Sequence, residues 1–236
     1  KYNKTVTNGE AVFYITGLTA GDKTVTATYA GDKWYVFNST TDQFKVTKHN
    51  STVNVTTKDI KVGETARINI TGPSDFNGTA IVEINGSSYS VALTNGVGFV
   101  DVAKLANGTY HINVTYTENG KYLASYNDTA ILTVSKLDKD SFVFNATVAN
   151  ITVGEPAVVN VTLPADATGN VTVTIGNITK TVAILGGNNS IAIAGVPVGE
   201  HNVTVTYNGN DKYNKVNATD KIKVSPVNTT EGNFIV

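Results

Sequence analysis

The sequence contains no cysteine and no methionine, and Arg67 is its only arginine. Without cysteine, no disulfide can stabilise the fold, and thiols give no information about the redox compartment. The absence of methionine, including at position 1, indicates a chain that begins after processing or is cut from something longer. A protein without oxidation-prone sulfur also suits life outside the cell.

The chain has neither an excess of one charge nor a long apolar run. The 18 basic and 19 acidic residues give a net charge of −1 and are scattered along the chain. A duplex-binding surface needs clustered basic side chains to displace counterions, so nucleic acid is not an expected partner. No apolar run reaches the roughly 20 residues of a membrane helix. We therefore expect no membrane segment in this window and, since helical apolar spacing is missing too, almost no helix.

The abundant residues favour strands and tight turns. Valine, isoleucine, threonine and tyrosine are frequent, and these side chains fit a pleated sheet. Asn-Gly pairs are typical of two-residue hairpin loops. They occur at 8–9, 77–78, 85–86, 95–96, 107–108, 119–120 and 208–209. The composition therefore predicts an all-β protein.

One unit recurs along the chain. A Thr/Val strand ends in a tyrosine three times, at Tyr29, Tyr116 and Tyr207, with spacings of 87 and 91 residues. Each time it is followed by a turn that contains a lysine and a further aromatic residue. A Val-Gly-Glu turn recurs with the same offset of 91, at 62–64 and 153–155. This period is that of a small sandwich domain.

The period predicts four segments. Residues 49–136 and 137–225 are two complete immunoglobulin-like domains. Residues 1–48 match only the back half of such a domain and supply about four strands. Residues 226–236 are the first strand of a following domain or a donor strand.

Two-residue alternation sorts the strand residues into two faces. One face of the second copy carries Tyr110, Ile112, Val114 and Tyr116, and the third copy repeats it with His201, Val203, Val205 and Tyr207. The other face carries histidine, asparagine and threonine. Because one face is apolar and the other polar, we predict tandem immunoglobulin-like β-sandwich domains in an elongated array.

These motifs resemble the bacterial-type immunoglobulin-like repeats of large cell-surface adhesins, and most closely those of archaeal methanogen adhesin-like proteins. The resemblance rests on the Val-Gly-Glu turn, the Asn-Gly hairpin before a strand, the Gly-Thr-Tyr or Gly-Glu-His start of a Thr/Val strand, and the turn that carries Tyr122 and Tyr213. It covers nearly the whole chain. It implies an anchored stalk for reach and attachment, with no catalytic residue.

Asparagine sequons are unusually dense. They number 19 of the 27 asparagines, where independent placement predicts about 5. An outer face built of asparagine and threonine alone would raise that expectation to roughly 13. The candidate N-glycosylation sites are Asn3, Asn38, Asn50, Asn54, Asn69, Asn77, Asn85, Asn107, Asn113, Asn127, Asn145, Asn150, Asn160, Asn170, Asn177, Asn188, Asn202, Asn217 and Asn228.

The histidines and the junction aspartates are candidates for metal binding. His49, His111 and His201 do not occupy equivalent positions, which favours ordinary surface or core-edge histidines over a metal site. Asp138 and Asp140 lie between the complete repeats. They fit either a calcium site that stiffens a rod or, because lysines interleave, a solvated linker.

Two further groups have alternative interpretations. Lys61 and Glu64 fit a Lys-to-Asn isopeptide bond of the kind that related adhesins carry, although Thr152 replaces the lysine in the third copy. The aromatic residues of the recurring turn fit sugar stacking or, because they recur, packing. These are Trp34, Tyr35, Tyr122 and Tyr213.

The incomplete ends bear on partners. Residues 1–48 leave a sheet edge and an apolar face open, which is an aggregation template unless it is covered. The tail ends in Phe234-Ile235-Val236. Either the sequence is an excerpt of a long array, or the tail of one molecule adds a strand to the first repeat of the next. The expected partners are therefore other copies or adjacent repeats, with an unknown host or neighbouring cell-surface ligand.

The sequence thus predicts a non-enzymatic, glycosylated protein of the extracellular cell surface that acts as stalk or fibre and presents a binding region. No Gly-x-Ser-x-Gly elbow or cysteine nucleophile is present, and no cofactor, catalytic residue or metal site is predicted. The alternatives are the subunit of a filament polymerised head to tail by donor strands, and a carbohydrate-binding module.

Overall fold

The computed structural model describes residues 1–228. In this part of the chain the structure consists of strands and turns, and its helical content is one 3-10 turn at Lys139–Ser141. The expectation of an all-β protein is therefore confirmed. Residues 226–228 of the predicted tail carry no strand, and the remainder of that segment, 229–236, lies outside the described residues.

The first repeat contains two strands instead of the predicted four. Strand β1 (Gly21–Tyr29) pairs antiparallel with β2 (Asn38–Val46). Residues 1–20 form only one antiparallel bridge, between Thr7 and Glu10 across the Asn-Gly turn. Shifted by 87 residues, this segment aligns with two strands of the second repeat. Each of those two strands pairs with a strand from the first half of the second repeat. The first repeat has no front half here, so those pairings are missing.

The second repeat has eight strands in two sheets. One sheet has the order β4-β10-β9-β6-β7 and the other the order β3-β5-β8. The strands are β3 (Asn54–Thr56), β4 (Ile60–Lys61), β5 (Ala66–Thr71), β6 (Gly78–Ile84), β7 (Ser87–Leu93), β8 (Val97–Val102), β9 (Gly108–Tyr116) and β10 (Ser125–Ser135). The strands near the two ends of the repeat, β4 and β10, pair in parallel.

The third repeat copies this arrangement. Its sheets have the orders β12-β18-β17-β14-β15 and β11-β13-β16, and buried residues of both sheets form one core. The strands are β11 (Asn145–Val148), β12 (Ile151–Thr152), β13 (Ala157–Thr162), β14 (Thr168–Ile175), β15 (Ile178–Leu185), β16 (Asn188–Ile193), β17 (Gly199–Tyr207) and β18 (Val216–Ser225). The fold is thus that of tandem immunoglobulin-like β-sandwiches.

The division of the chain into compact units does not follow the repeats. One unit comprises Lys1–Thr57, Arg67–Val100 and His111–Ile131, and the other comprises Lys58–Ala66, Asp101–Tyr110 and the chain from Leu132 onward. Four of the five limits between them fall within strands of the second repeat, namely β5, β8, β9 and β10. The repeat boundaries at 48/49 and 136/137 therefore stay predictions.

Two-residue alternation positions the core as the sequence predicts. Ile112 and Val114 in β9, and Val203 and Val205 in β17, are all 0% exposed. Burial of such a side chain stabilises a fold by about 1.5–3 kcal/mol. The intervening residues of both strands are half-buried or exposed. The inward face is therefore set by the pleat and the register.

The two complete repeats place their aromatic volume differently. In the second repeat, the ring centroids of Phe76 and Tyr116 are 3.8 Å apart. At the 91-residue offset the third has Ala167 in place of Phe76, and its Phe144 ring lies 6.5 Å from that of Tyr207. Phe144 in turn matches Val53, which is buried. At these two core positions the second repeat therefore has phenylalanine and valine, and the third has alanine and phenylalanine. The large side chain fills a different part of the core in each repeat.

Candidate functional site

A turn after β9 is fixed to an aspartate of the β5–β6 connection. The Oδ1 atom of Asn119 accepts hydrogen bonds from the backbone N–H groups of Lys121 and Tyr122, each at 2.8 Å. This local bond shapes the turn. It presents the Lys121 ammonium and the Tyr122 hydroxyl to Asp75, and the hydroxyl donates to Asp75 Oδ1 at 2.6 Å. We call these contacts the Asp-Lys-Tyr latch.

The third repeat has the same latch at an offset of 91 residues. Asn210 Oδ1 accepts from the backbone N–H groups of Lys212 and Tyr213 at 2.8 and 2.9 Å. Lys212 pairs with Asp166, and the Tyr213 hydroxyl donates to Asp166 Oδ1 at 2.5 Å. The latch is therefore a feature of the repeat. Sequence reasoning missed it, although the recurrence of aspartate at both 75 and 166 was a signal.

The electrostatics of the latch favour charged, paired groups. The hydrogen bond from Lys121 lowers the pKa of Asp75, with a further contribution from Tyr122, and the bond to Asp75 raises the pKa of Lys121. Both groups are therefore charged at neutral pH, and their pairing holds the turn against the β5–β6 connection. Because both side chains are 52% exposed, the pair contributes modestly to stability. That contribution is lost as the pH falls through the lowered pKa of the carboxylate.

The tyrosines at the ends of β9 and β17 differ in hydrogen bonding. Tyr207 donates its hydroxyl to the carbonyl of Thr168 at 2.8 Å. The buried hydroxyl of Tyr116 has no hydrogen-bond partner among residues 1–228. Burial raises the pKa of Tyr116 to about 12. Such a hydroxyl keeps its desolvation cost without a compensating bond.

Two of the three histidines make separate contacts within the fold, and His111 is exposed. His201 occupies the position of Tyr110, as predicted, and both side chains hydrogen-bond the equivalent carbonyl: Tyr110 that of Ala106 at 2.9 Å, and His201 that of Pro197 at 2.8 Å. The ring of His49 lies 6.0 Å from that of Tyr122. Within the described chain no three His, Cys, Asp or Glu residues are grouped to hold a metal ion.

The junction aspartate is engaged by protein groups. Asp138 accepts a hydrogen bond from the Asn214 amide at 2.7 Å and lies 3.5 Å from the Lys61 ammonium. Lys61 also donates to the Ser141 hydroxyl at 2.8 Å. Glu64, the acid expected to promote an isopeptide bond at Lys61, accepts from the backbone N–H of Lys61 at 2.7 Å. Glu155 repeats that bond with Thr152, so the glutamate of the Val-Gly-Glu motif closes its own turn.

The recurring aromatic residues differ in exposure. Tyr213 is 3% exposed and packs against Phe142, with ring centroids 4.7 Å apart. Tyr122 is half-buried. Trp34 and Tyr35 of the first repeat are 77% and 69% exposed. Both tyrosines of the complete repeats therefore pack against a phenylalanine ring, and the exposed pair belongs to the first repeat.

The sequon asparagines lie at the surface. Seventeen of the nineteen are exposed, and the remaining two, Asn113 and Asn127, are half-buried. Asn54, Asn69 and Asn160 point outward from strands whose neighbouring residues point inward. Asn127 differs from these because its amide donates to the Val53 carbonyl at 2.8 Å. All but two of the predicted acceptors therefore stand in solvent, and their modification stays a prediction.

No helix in residues 1–228 is long and apolar enough to span a bilayer. No protein-family model matches the chain, and no curated protein matches it.

Solved structures give distant likenesses. The fibronectin(III)-like modules of Clostridium thermocellum CbhA are 11% identical, with a TM-score of 0.31, over 76% of this chain and 97% of theirs. A chimeric titin Z1Z2-Z1Z2 tandem is 10% identical, with a TM-score of 0.28, over 74% and 99%. The structure of Dpr11 IG1 bound to DIP-gamma IG+IG2 is 12% identical, with a TM-score of 0.30, over 74% of this chain and 98% of that one. At these scores, the sandwich assignment rests on strand order and buried residues.

Proposed function

We propose that this chain is a repeat region of a glycosylated extracellular stalk or fibre, of the kind found in archaeal adhesin-like proteins. It holds a binding region away from a cell surface and carries no catalysis of its own. The observation that supports this proposal is the parallel pairing between strands near the start and the end of each complete repeat.

Parallel pairing of this kind resists pulling. In the third repeat Ile151 pairs with Val224 and Thr152 with Ser225, and the N–H of Val153 donates to the Ser225 carbonyl at 2.9 Å. Force on the two chain ends pulls two parallel strands in opposite directions along their common axis. Their hydrogen bonds are then strained together instead of one after another. An array built this way transmits tension without unfolding at low force.

The second repeat has the same device, which we call the terminal clamp. Its β4 and β10 pair in parallel at Ile60–Val134 and Lys61–Ser135, and Val62 N–H donates to the Ser135 carbonyl at 2.9 Å. The strand order around it is also the same. Two consecutive repeats therefore contain the same terminal clamp. This favours a role in which tension passes along the chain from one repeat to the next.

Replacing Val153 by proline is expected to weaken the clamp and leave the turn intact. Glu155 N–H bonds the Thr152 carbonyl, and Gly154 has a φ of 98°. These features define a type II turn with Val153 at the position that proline favours. The variant loses one hydrogen bond, worth about 0.5–1.5 kcal/mol. We expect unfolding of the third repeat under force to become roughly 2–10 times faster, measured by single-molecule stretching of the whole chain.

The second repeat is the internal control in the same molecule, and Val62→Pro is the matched change there. Equilibrium stability should change by less than about 1 kcal/mol, because proline also restricts the unfolded chain. An unfolding force that is unchanged in both variants would contradict a mechanical role for the terminal clamp.

The glycan part of the proposal predicts a pattern of occupancy. Asn69 is exposed on the outer face of β5, whereas Asn127 is half-buried and its amide is bonded to Val53. We expect peptide mapping of protein from its native source to find glycan at Asn69 and similar outward sites, and none at Asn127. Equal occupancy at Asn127, or bare asparagine at every outward site, would count against it.

A further inference from the structure

An apolar strip lies on the outer face of the smaller sheet of the second repeat. Its members are Val97 and Phe99, which point outward from β8 and are 59% and 53% exposed. At the 91-residue offset the third repeat has Asn188 and Ser190 in these positions of β16. Since the same fold forms with polar residues there, the strip is a property of the second repeat and not a requirement of the sandwich.

The third repeat shows which residue adjoins the position of Phe99. Ser190 of β16 lies directly opposite Asn160 of β13, and its hydroxyl donates to Asn160 Oδ1 at 2.7 Å. Asn160 is the asparagine of a predicted glycosylation site, and its side chain is exposed. The residue at this position of the strand therefore contacts the side-chain amide of a sequon asparagine.

The second repeat uses the same register. Its β5 and β8 are neighbours, and Gly72 N–H donates to the Gly96 carbonyl at 2.8 Å, as the two residues 91 positions later do at 3.0 Å. Shifting the pairing of the third repeat by 91 residues places Asn69 opposite Phe99. Directly opposed residues on one face have Cβ atoms about 4.5–5.5 Å apart, so the sequon amide of Asn69 adjoins the ring of Phe99.

The ring of Phe99 is covered on one side only. The Arg67 guanidinium lies over it, 4.2 Å from the ring centroid, and this cation–π contact holds the ring in place. Arg67 precedes Asn69 by two residues, and both side chains point outward from β5. More than half of the Phe99 side chain is still in contact with water. A group that covers the ring therefore removes apolar surface from water, which is favourable.

A pyranose linked to Asn69 matches these surroundings. The ring of such a sugar carries C–H bonds on its faces, and these pack on an aromatic ring as apolar surface. On the other side of Asn69 lies Thr56 of β3, which offers a polar side chain. Phe99 is thus the apolar partner that the sheet places beside a sugar at this position.

The strand holds the acceptor in place. Asn69 and Thr71 are exposed, while Ile70 between them is 0% exposed. Since the sequon lies in a strand with its middle residue in the core, the Asn69 amide has a fixed position relative to Phe99. A sugar attached there loses less conformational freedom on packing than a sugar attached to a mobile loop.

We propose that Phe99 is a packing platform for the first sugar of an N-linked glycan on Asn69. The inference rests on the glycosylation part of the proposed function and gives one glycan a stabilising role. The sugar buries the open part of the Phe99 ring and thereby stabilises the second repeat. A glycan on Asn160 meets the Ser190 hydroxyl instead of a ring, so the equivalent sugar of the third repeat gives no such stabilisation.

The test uses the whole chain from its native source in four forms: unchanged, Asn69→Gln, Phe99→Ser and the double variant. Serine is the residue that the third repeat has at this position, so Phe99→Ser keeps the fold. Loss of the glycan through Asn69→Gln is expected to speed hydrogen exchange of the slowest β5 and β9 amides, which report opening of the second repeat, by about 2–10 times. With Phe99→Ser present, the same change should alter exchange by less than about 2 times.

A spectroscopic measurement and two controls accompany this cycle. The C–H protons of the first sugar that lie over the ring should resonate upfield in NMR spectra of the unchanged protein, and Phe99→Ser should abolish that shift. The four forms made in a host without N-glycosylation should show no coupling between the two changes. In the third repeat, Ser190→Phe should create the coupling with Asn160→Gln that the unchanged repeat lacks.

Equal effects of Asn69→Gln with and without Phe99 would overturn the proposal. So would coupling of the same size in glycan-free protein, which would assign it to the asparagine side chain itself. A bare Asn69 beside glycan at other outward sites would sink this inference and leave the stalk function standing. Bare asparagine at every outward site would contradict the glycosylation part of that function as well, while the proline variants test its mechanical part separately.

Discussion

Alanine in place of Gly96 is expected to destabilise the second repeat by roughly 1–3 kcal/mol more than alanine in place of Gly86, because only the first change overpacks its surroundings. Both glycines follow asparagine in a hairpin turn and have positive φ values, 75° for Gly96 and 71° for Gly86. The strain of a left-handed alanine, about 1–2 kcal/mol, is therefore common to both.

The difference arises from what a Cβ atom would meet. At Gly96 it would overlap the carbonyl oxygen of Pro73, while at Gly86 nothing lies within 4 Å. The backbone at Gly96 cannot easily shift, because its N–H bonds the Phe76 carbonyl at 2.7 Å and its carbonyl accepts from Gly72 at 2.8 Å. Chemical denaturation of both variants of the full chain measures the difference. Equal losses of stability would show that the Gly96 turn adapts.

Replacing Val203 by aspartate is expected to unfold the third repeat. Val203 is 0% exposed, and a buried carboxylate without a partner costs several kcal/mol. That is a large part of the roughly 5–15 kcal/mol that stabilises a domain. We expect the amide signals of β14 and β17 to lose their native dispersion in NMR spectra, with those of the first repeat unchanged.

The adjacent residue provides the control. Asn202 lies on the outer face of β17, opposite Lys221 of β18. Aspartate there has nearly the shape of asparagine and stays in water, so the free energy of unfolding should change by less than about 0.5 kcal/mol. A native spectrum for Val203→Asp, or an unfolded one for Asn202→Asp, would refute the inward and outward assignment.

Much of the fold follows from local rules that the sequence displays. Alternation identified Ile112, Val114, Val203 and Val205 as core, since a strand exposes alternate residues to opposite faces whatever its partner. The Asn-Gly pairs at 85–86 and 95–96 form hairpin turns with both residues at positive φ. These features depend on neighbours in sequence, and their prediction needs no knowledge of distant contacts.

Features that depend on distant residues were harder to predict. The segment before Gly21 has strand composition but forms no strands, because a strand requires a partner to bond with. The latch joins Asp75 to residues 46 and 47 positions later, and nothing local to the aspartate reveals that contact. Comparison of the two complete repeats, position by position, was the available signal.

The exchange of Phe76 and Val53 for Ala167 and Phe144 bears on how tandem repeats avoid mistakes while folding. Adjacent domains with alike backbones are prone to trade strands. If the opening segment of the third repeat, with Phe144 immediately before β11, entered the second, two rings would compete for the space beside Tyr116. The reverse trade would leave a void beside Tyr207. The size of the residue at this position therefore makes each opening segment fit its own repeat better than the neighbouring one. This mismatch disfavours strand exchange between adjacent repeats.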